Sequence, residues 1–135
     1  MRFVLVTKYF TGLGFAIRLA EEGHDVVVAV AGIDDQRLTA RYDLVGRGLV
    51  DRRPLGDVIA ARADWRDAYW LWDENHSVEA CELLRGEGFR VLGGGRYANT
   101  MEHDRDACLR LVGAYGLQAP PSIRFERRED ALAHV

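Results

Sequence analysis

Lysine is almost absent: 17 of the 18 basic residues are arginine, Lys8 is the exception, and 21 acidic residues leave a formal net charge of -3. With no basic excess, nucleic-acid binding by bulk electrostatics is excluded as a working reading, and small-molecule partners become the default. Cysteine is scarce as well. Cys81 and Cys108 each sit among apolar residues at helical spacing in separate segments, and they read as buried reduced thiols rather than a disulfide or metal pair. No long apolar segment and no cleavage-site pattern follows Met1, so neither secretion nor a membrane span is indicated and a cytoplasmic protein is expected. Internal repeats and low-complexity tracts are also missing. Of only three prolines, the pair Pro120 and Pro121 is the best candidate linker.

What is present is a globular composition, 48% hydrophobic and 29% charged, in a chain of 135 residues that fits one ordinary domain with a real core. Short β-branched runs alternate with helical patterns, which predicts an α/β fold with an open parallel sheet flanked by helices. Residues 2–6 and 25–31 read as strands. Between them Leu13, Ala16, Ile17 and Ala20 give a helix one apolar face, and Gly23 ends it. The middle is predicted as loop or short edge strand over 44–50 and as a helix over 55–63. A third clear strand is expected over 67–73, then a helix capped by the Ser77 hydroxyl and a strand over 89–95. One long helix over 101–116, a strand after the prolines and a final helix from 128 complete the reading.

The stretch Val6 to Val30 looks like a dinucleotide-binding start, and its glycines decide the matter. Such a fingerprint needs three glycines, for the turn, for the pyrophosphate and for helix-on-strand packing. Gly12 and Gly14 fill two positions, but Ile17 stands at the third, and five residues separate Val6 from Gly12. Asp34 and Asp35, about where a ribose-binding acid would fall, lie past the second strand. A nicotinamide-dependent oxidoreductase is therefore disfavoured, while a purely structural turn stays open. The other reading is an anion site: a long loop opening a helix N-terminus, with Lys8 adding a cation and Thr11 a hydroxyl.

Asp73, Glu74, Asn75 and His76 fall where the third clear strand stops, the place where open parallel sheets bind ligands. They could contact a ligand's hydroxyls or amine, or form a polar loop only. His76 has no second histidine or cysteine at ligand spacing, so no metal is expected. Gly93 and Gly94 allow a ligand close to the backbone, or make a simple turn. Glu102 and Asp104 suit the start of a helix.

From Glu87 onward, Val91, Gly93, Gly94, Glu102, Arg105, Gly116, Pro120 and Ala131 follow one another at intervals that resemble the N-terminal part of phosphoribosylamine-glycine ligases, also called glycinamide ribonucleotide synthetases, and their ATP-grasp relatives. The resemblance extends more weakly back through most of the chain. It implies a Rossmann-like pre-ATP-grasp domain over 1–119 that helps bind the acceptor substrate, and over 120–135 a linker and the start of an ATP-grasp domain.

Activity, on that resemblance, is ATP-dependent carbon–nitrogen ligation in purine biosynthesis. The partners are a sugar phosphate similar to phosphoribosylamine and an amino acid, with ATP and magnesium serving the full-length enzyme. Lys8, Thr11, Gly12, Gly14, Asp73, Glu74, Gly93 and Gly94 are the expected substrate-binding residues. Arg105, where the family commonly has lysine, is the expected ATP contact, and no catalytic residue is assigned. The family's glycine-rich start has lost its arginine, glutamate and histidine here, so a divergent ligase with another acceptor remains an alternative. So does a free-standing module that binds a phosphorylated ligand. The chain is expected to be a fragment, inactive alone and without bound cofactor.

Overall fold

Val4, Val6, Val27 and Val28 are completely shielded from solvent, as strands covered on both faces require. They belong to a five-stranded, all-parallel sheet in the order β3-β2-β1-β4-β5. Its strands are β1 (Arg2–Thr7), β2 (Asp25–Val30), β3 (Asp51–Pro54), β4 (Tyr69–Trp72) and β5 (Arg90–Leu92). The structure is a computed structural model that describes residues 1–32 and 40–134. Asp34 and Asp35 lie outside the described residues.

Side chains alternate across the strands and build two cores. Val4, Val6, Val27, Ala29, Trp70 and Trp72 point to one face, where Val58 of α2 (Leu55–Ala60), Trp65 of the 3₁₀ turn Arg62–Trp65, and Cys81 and Leu84 of α3 (Val78–Gly86) cover them. Leu5, Val26 and Val28 point to the other face, under Ala16 and Leu19 of α1 (Leu13–Glu21). The sequence is thus an open α/β sheet flanked by helices, and its strand order is Rossmann-like. Aromatic packing consolidates the first core: Phe89 meets Trp70 edge-on at 5.9 Å, and the Trp70 indole N–H donates to the Trp65 carbonyl at 3.3 Å.

Two expectations need correction in this unit, and one alternative is decided. Of the two alternatives for 44–50 the loop holds, and the edge strand lies further on at Asp51–Pro54, where pairing with Val27 to Val30 outweighs its polar sequence. The helix expected to reach Ala63 ends at Ala60 and tightens into the 3₁₀ turn. Ser77 does precede α3, but its backbone is left-handed (φ 50°) and its side chain caps no amide. Of the two thiols, Cys81 is buried and Cys108 only half-buried; both are free.

The chain divides into two compact units, Met1–Thr100 and Met101–Val135. The helix expected over 101–116 is two helices, α4 (Arg96–His103) and α5 (Arg105–Ala114). Asp104 interrupts them with an extended backbone (φ -110°, ψ 91°), and its carboxylate accepts the Ala107 amide at 2.9 Å as the cap of α5. No strand follows the prolines: residues 117–127 carry no regular structure, and α6 (Arg128–His134) comes next. Among the described residues, none of 101–134 is buried, so the core belongs to the first unit. Among the described residues, no helix is long and apolar enough to cross a membrane.

Leu84→Ala is expected to cost about 2–5 kcal/mol, as a fully buried leucine does. Leu117→Ala, at a site 64% exposed, is expected to change stability by less than about 0.5 kcal/mol. Urea unfolding followed by the fluorescence of the three buried tryptophans distinguishes them, and equal losses would misplace the core.

Candidate functional site

The chain moves outward from β1 to β2 and β3, then returns to the opposite side of β1 for β4 and β5. The reversal leaves a crevice beyond the carboxyl ends of β1 and β4, the topological switch point at which open α/β sheets take ligands. Two loops meet there. One runs from Thr7 to Gly12 and opens α1; the other runs from Asp73 to Ser77 and opens α3.

Asp73 joins them. Its Oδ2 accepts the Gly12 amide at 2.7 Å, and the Thr7 hydroxyl also bonds to its carboxylate. Burial, the strongest influence, pushes the Asp73 carboxyl up, but the His76 imidazole, the Thr7 hydroxyl and the Gly12 amide outweigh it and hold the group below the usual carboxylate range. Thr7 is fully buried, and its hydroxyl oxygen accepts the Phe10 amide at 2.8 Å. Beside it, the Thr11 hydroxyl donates to Glu74. His76 Nδ1 lies 3.1 Å from the Ser77 hydroxyl, and its Nε2 lies 3.8 Å from Asp73 Oδ1.

Strain gathers at the same place. Phe10 and Ser77 are the non-glycine residues with positive φ among the described residues, at 60° and 50°, one in each loop. A buried Phe10 in that conformation is held by Tyr42 stacked at 5.7 Å and by the Arg52 guanidinium 4.7 Å from its ring. Such conformations persist only where their surroundings over-determine them, commonly at binding sites.

The two glycines of the opening loop have different duties. A Cβ on Gly12 would stand 3.0 Å from Asp73 Cβ and 3.2 Å from Leu5 Cδ1, so this residue is glycine because β4 and β1 crowd it. A Cβ on Gly14 would meet nothing within 4 Å. Several amides of the loop are already occupied: Phe10 by Thr7, Gly12 by Asp73, Leu13 by the Phe10 carbonyl and Phe15 by the Gly12 carbonyl. The negative charge that meets the Gly12 amide is therefore the protein's own.

A cavity of about 500 Å³ opens on the other side of the Asp73 loop, lined by Lys8, Gly32, Gly56, His76, Ser77 and Glu79. The N-terminal end of α3 borders it. A larger cavity, about 570 Å³, lies beyond β2 and β3 over Phe10, Tyr42 and Val50, with Arg47, Arg52 and Arg53 around it. Those guanidiniums are engaged: Arg47 pairs with Asp43 at 2.6 Å, Arg53 with Asp51 at 2.7 Å, and Arg52 donates to the Asp43 and Tyr42 carbonyls.

The structure brings Thr11 to Glu74 and Gly12 to Asp73, whereas Lys8 lines the neighbouring cavity with His76 and Ser77. A Cβ on Gly93 would lie 2.8 Å from Trp72 Cβ, and one on Gly94 would lie 2.6 Å from Asn75 Oδ1, so backbone crossing over side chains explains both. Gly14 is exposed and away from these contacts. Arg105 belongs to the second unit, exposed at the start of α5 between Asp104, which caps that helix, and Asp106, which pairs with Arg124 at 2.8 Å. These neighbours are carboxylates, a poor fit for a nucleotide phosphate, and no step through ATP is derived from them. Thr7 was not foreseen as a site residue, since a threonine ending a strand is common; only its burial distinguishes it.

The chain shows no significant match to any family model, curated protein or solved structure.

Gly12→Ala is expected to destabilise the protein by about 1–3 kcal/mol through overpacking, whereas Gly14→Ala is expected to gain about 0.5–1 kcal/mol from helix propensity. Thermal melts of both variants check this, and a large loss at Gly14 would restore a close-approach role for it. Thr7→Val, which leaves the Phe10 amide without its acceptor, is expected to cost about 1–3 kcal/mol, measured by urea unfolding; a neutral outcome would remove the hydroxyl from the account.

Proposed function

We propose that this chain binds a phosphorylated small molecule in the crevice at the carboxyl ends of β1 and β4, and serves as the acceptor-binding domain of an ATP-dependent carbon–nitrogen ligase. The observation that carries the reading is the cavity of about 500 Å³ beside the Asp73 loop, where Lys8, His76 and Ser77 line one space. Lys8 supplies a cation for a phosphate, and the positive end of α3 at Ser77 adds to it. Glu79, in the first turn of that helix, offers an acceptor for sugar hydroxyls or an amine. One cavity thus holds groups suited to both ends of an aminated sugar phosphate.

The ligase assignment rests on the resemblance of residues 87–135 to phosphoribosylamine-glycine ligases. In such an enzyme ATP and magnesium activate the amino acid elsewhere, and the part of these residues is to hold and orient the acceptor. That the Phe10, Gly12 and Leu13 amides already have internal partners supports a phosphate near Lys8 and α3 over one at the start of α1.

Isothermal titration with ribose 5-phosphate, ribose and ATP tests the reading. Ribose 5-phosphate is expected to bind and ribose not. Lys8→Ala is expected to weaken the complex about tenfold, equivalent to about 1.4 kcal/mol for one charge-assisted contact. Binding unchanged in Lys8→Ala, or ATP binding in place of the sugar phosphate, would overturn it.

A further inference from the structure

We propose that Asp73, Glu74 and His76 form a binding site for a divalent first-row metal ion, of the Zn²⁺ or Mn²⁺ type, at the carboxyl end of β4. One donor atom from each of the three lies within 4.8 Å of the other two. Two atoms of these side chains are buried and without a hydrogen-bond partner, Asp73 Oδ1 and His76 Nε2. They face one another across 3.8 Å, on side chains only 6% and 13% exposed.

That spacing is too long for a hydrogen bond, so the two atoms do not satisfy each other directly. It does suit a shared ion: donors each about 2.1 Å from one metal stand this far apart at an angle of about 130°. Glu74 supplies the third donor.

Each donor is also held from behind, which is how metal sites orient their ligands. The second Asp73 oxygen accepts the Gly12 amide at 2.7 Å, Glu74 accepts the Thr11 hydroxyl, and His76 Nδ1 lies 3.1 Å from the Ser77 hydroxyl. An imidazole whose Nδ1 proton goes to Ser77 presents the lone pair of Nε2 toward Asp73.

The donor set selects the class of ion. An imidazole with two carboxylates favours Zn²⁺ or Mn²⁺ over Mg²⁺ and Ca²⁺, which prefer oxygen alone. Three protein donors leave coordination positions for water or a ligand oxygen from the crevice. Sequence spacing hid the site because the partners of His76 are carboxylates brought in by the turn after β4, not a second histidine or cysteine. The site stands apart from the sugar-phosphate reading, since it is tested with metal alone.

The experiment is isothermal titration of the full chain, stripped with chelator and desalted, with Zn²⁺, Mn²⁺, Mg²⁺ and Ca²⁺ in buffer free of phosphate. One Zn²⁺ or Mn²⁺ per chain is expected. Glu74→Gln and His76→Gln are each expected to weaken it by at least about tenfold, and His24→Gln, outside the cluster, should leave it unchanged. Asp73→Asn also removes the acceptor of the Gly12 amide, so the first two variants carry the test, with circular dichroism melts establishing that they fold. No binding, binding that survives in both variants, or equal binding of Mg²⁺ would overturn the proposal.

Discussion

The bond from the Gly12 amide to the Asp73 carboxylate governs the arrangement of the crevice. It links residues 61 positions apart, at the start of α1 and at the end of β4, across the central strand β1. A buried carboxylate is costly unless donors meet it, and here the Thr7 hydroxyl and the Gly12 amide share that task. The two loops are consequently one polar unit, and the left-handed Phe10 and Ser77 lie in the segments that this unit must bend.

This arrangement changes what the α1 terminus can offer. A helix start after a glycine loop ordinarily invites an external anion, but here an internal carboxylate has taken the Gly12 amide. The cavity beside the Asp73 loop is lined instead by side chains, among them Lys8, His76 and Ser77, where α3 begins. The polar groups that this end of the sheet leaves open are thus more those of side chains than of the α1 backbone.

How much of this could be read from sequence follows from how local each signal is. β1 and β2 were legible because Arg2–Thr7 and Asp25–Val30 each hold a continuous apolar run rich in valine, as buried parallel strands require. β3 was not, because Asp51–Pro54 has strand character only through its partner Val27–Val30. Asp104 stands in a charged run, Glu102 to Asp106, that reads as the opening of one helix, and its role as a cap appears only in its backbone angles and its bond to the Ala107 amide. Asp73 and Glu74 were legible as candidates from their place after a strand. The partners that give them geometry, Thr7, Gly12 and Thr11, lie about sixty residues earlier, and no local pattern announces that meeting.

The outer strands have a consequence for solubility during folding. β3 borders the sheet with Asp51, Arg52, Arg53 and Pro54, and β5 borders it on the other side with only three residues. Proline lacks the amide that a further strand would need, and charged side chains make a neighbouring chain costly to dock. The same polar sequence that obscured β3 thus discourages two copies from joining edge to edge, leaving a hydrophobic sheet that is accessible to its own helices but a poor template for aggregation.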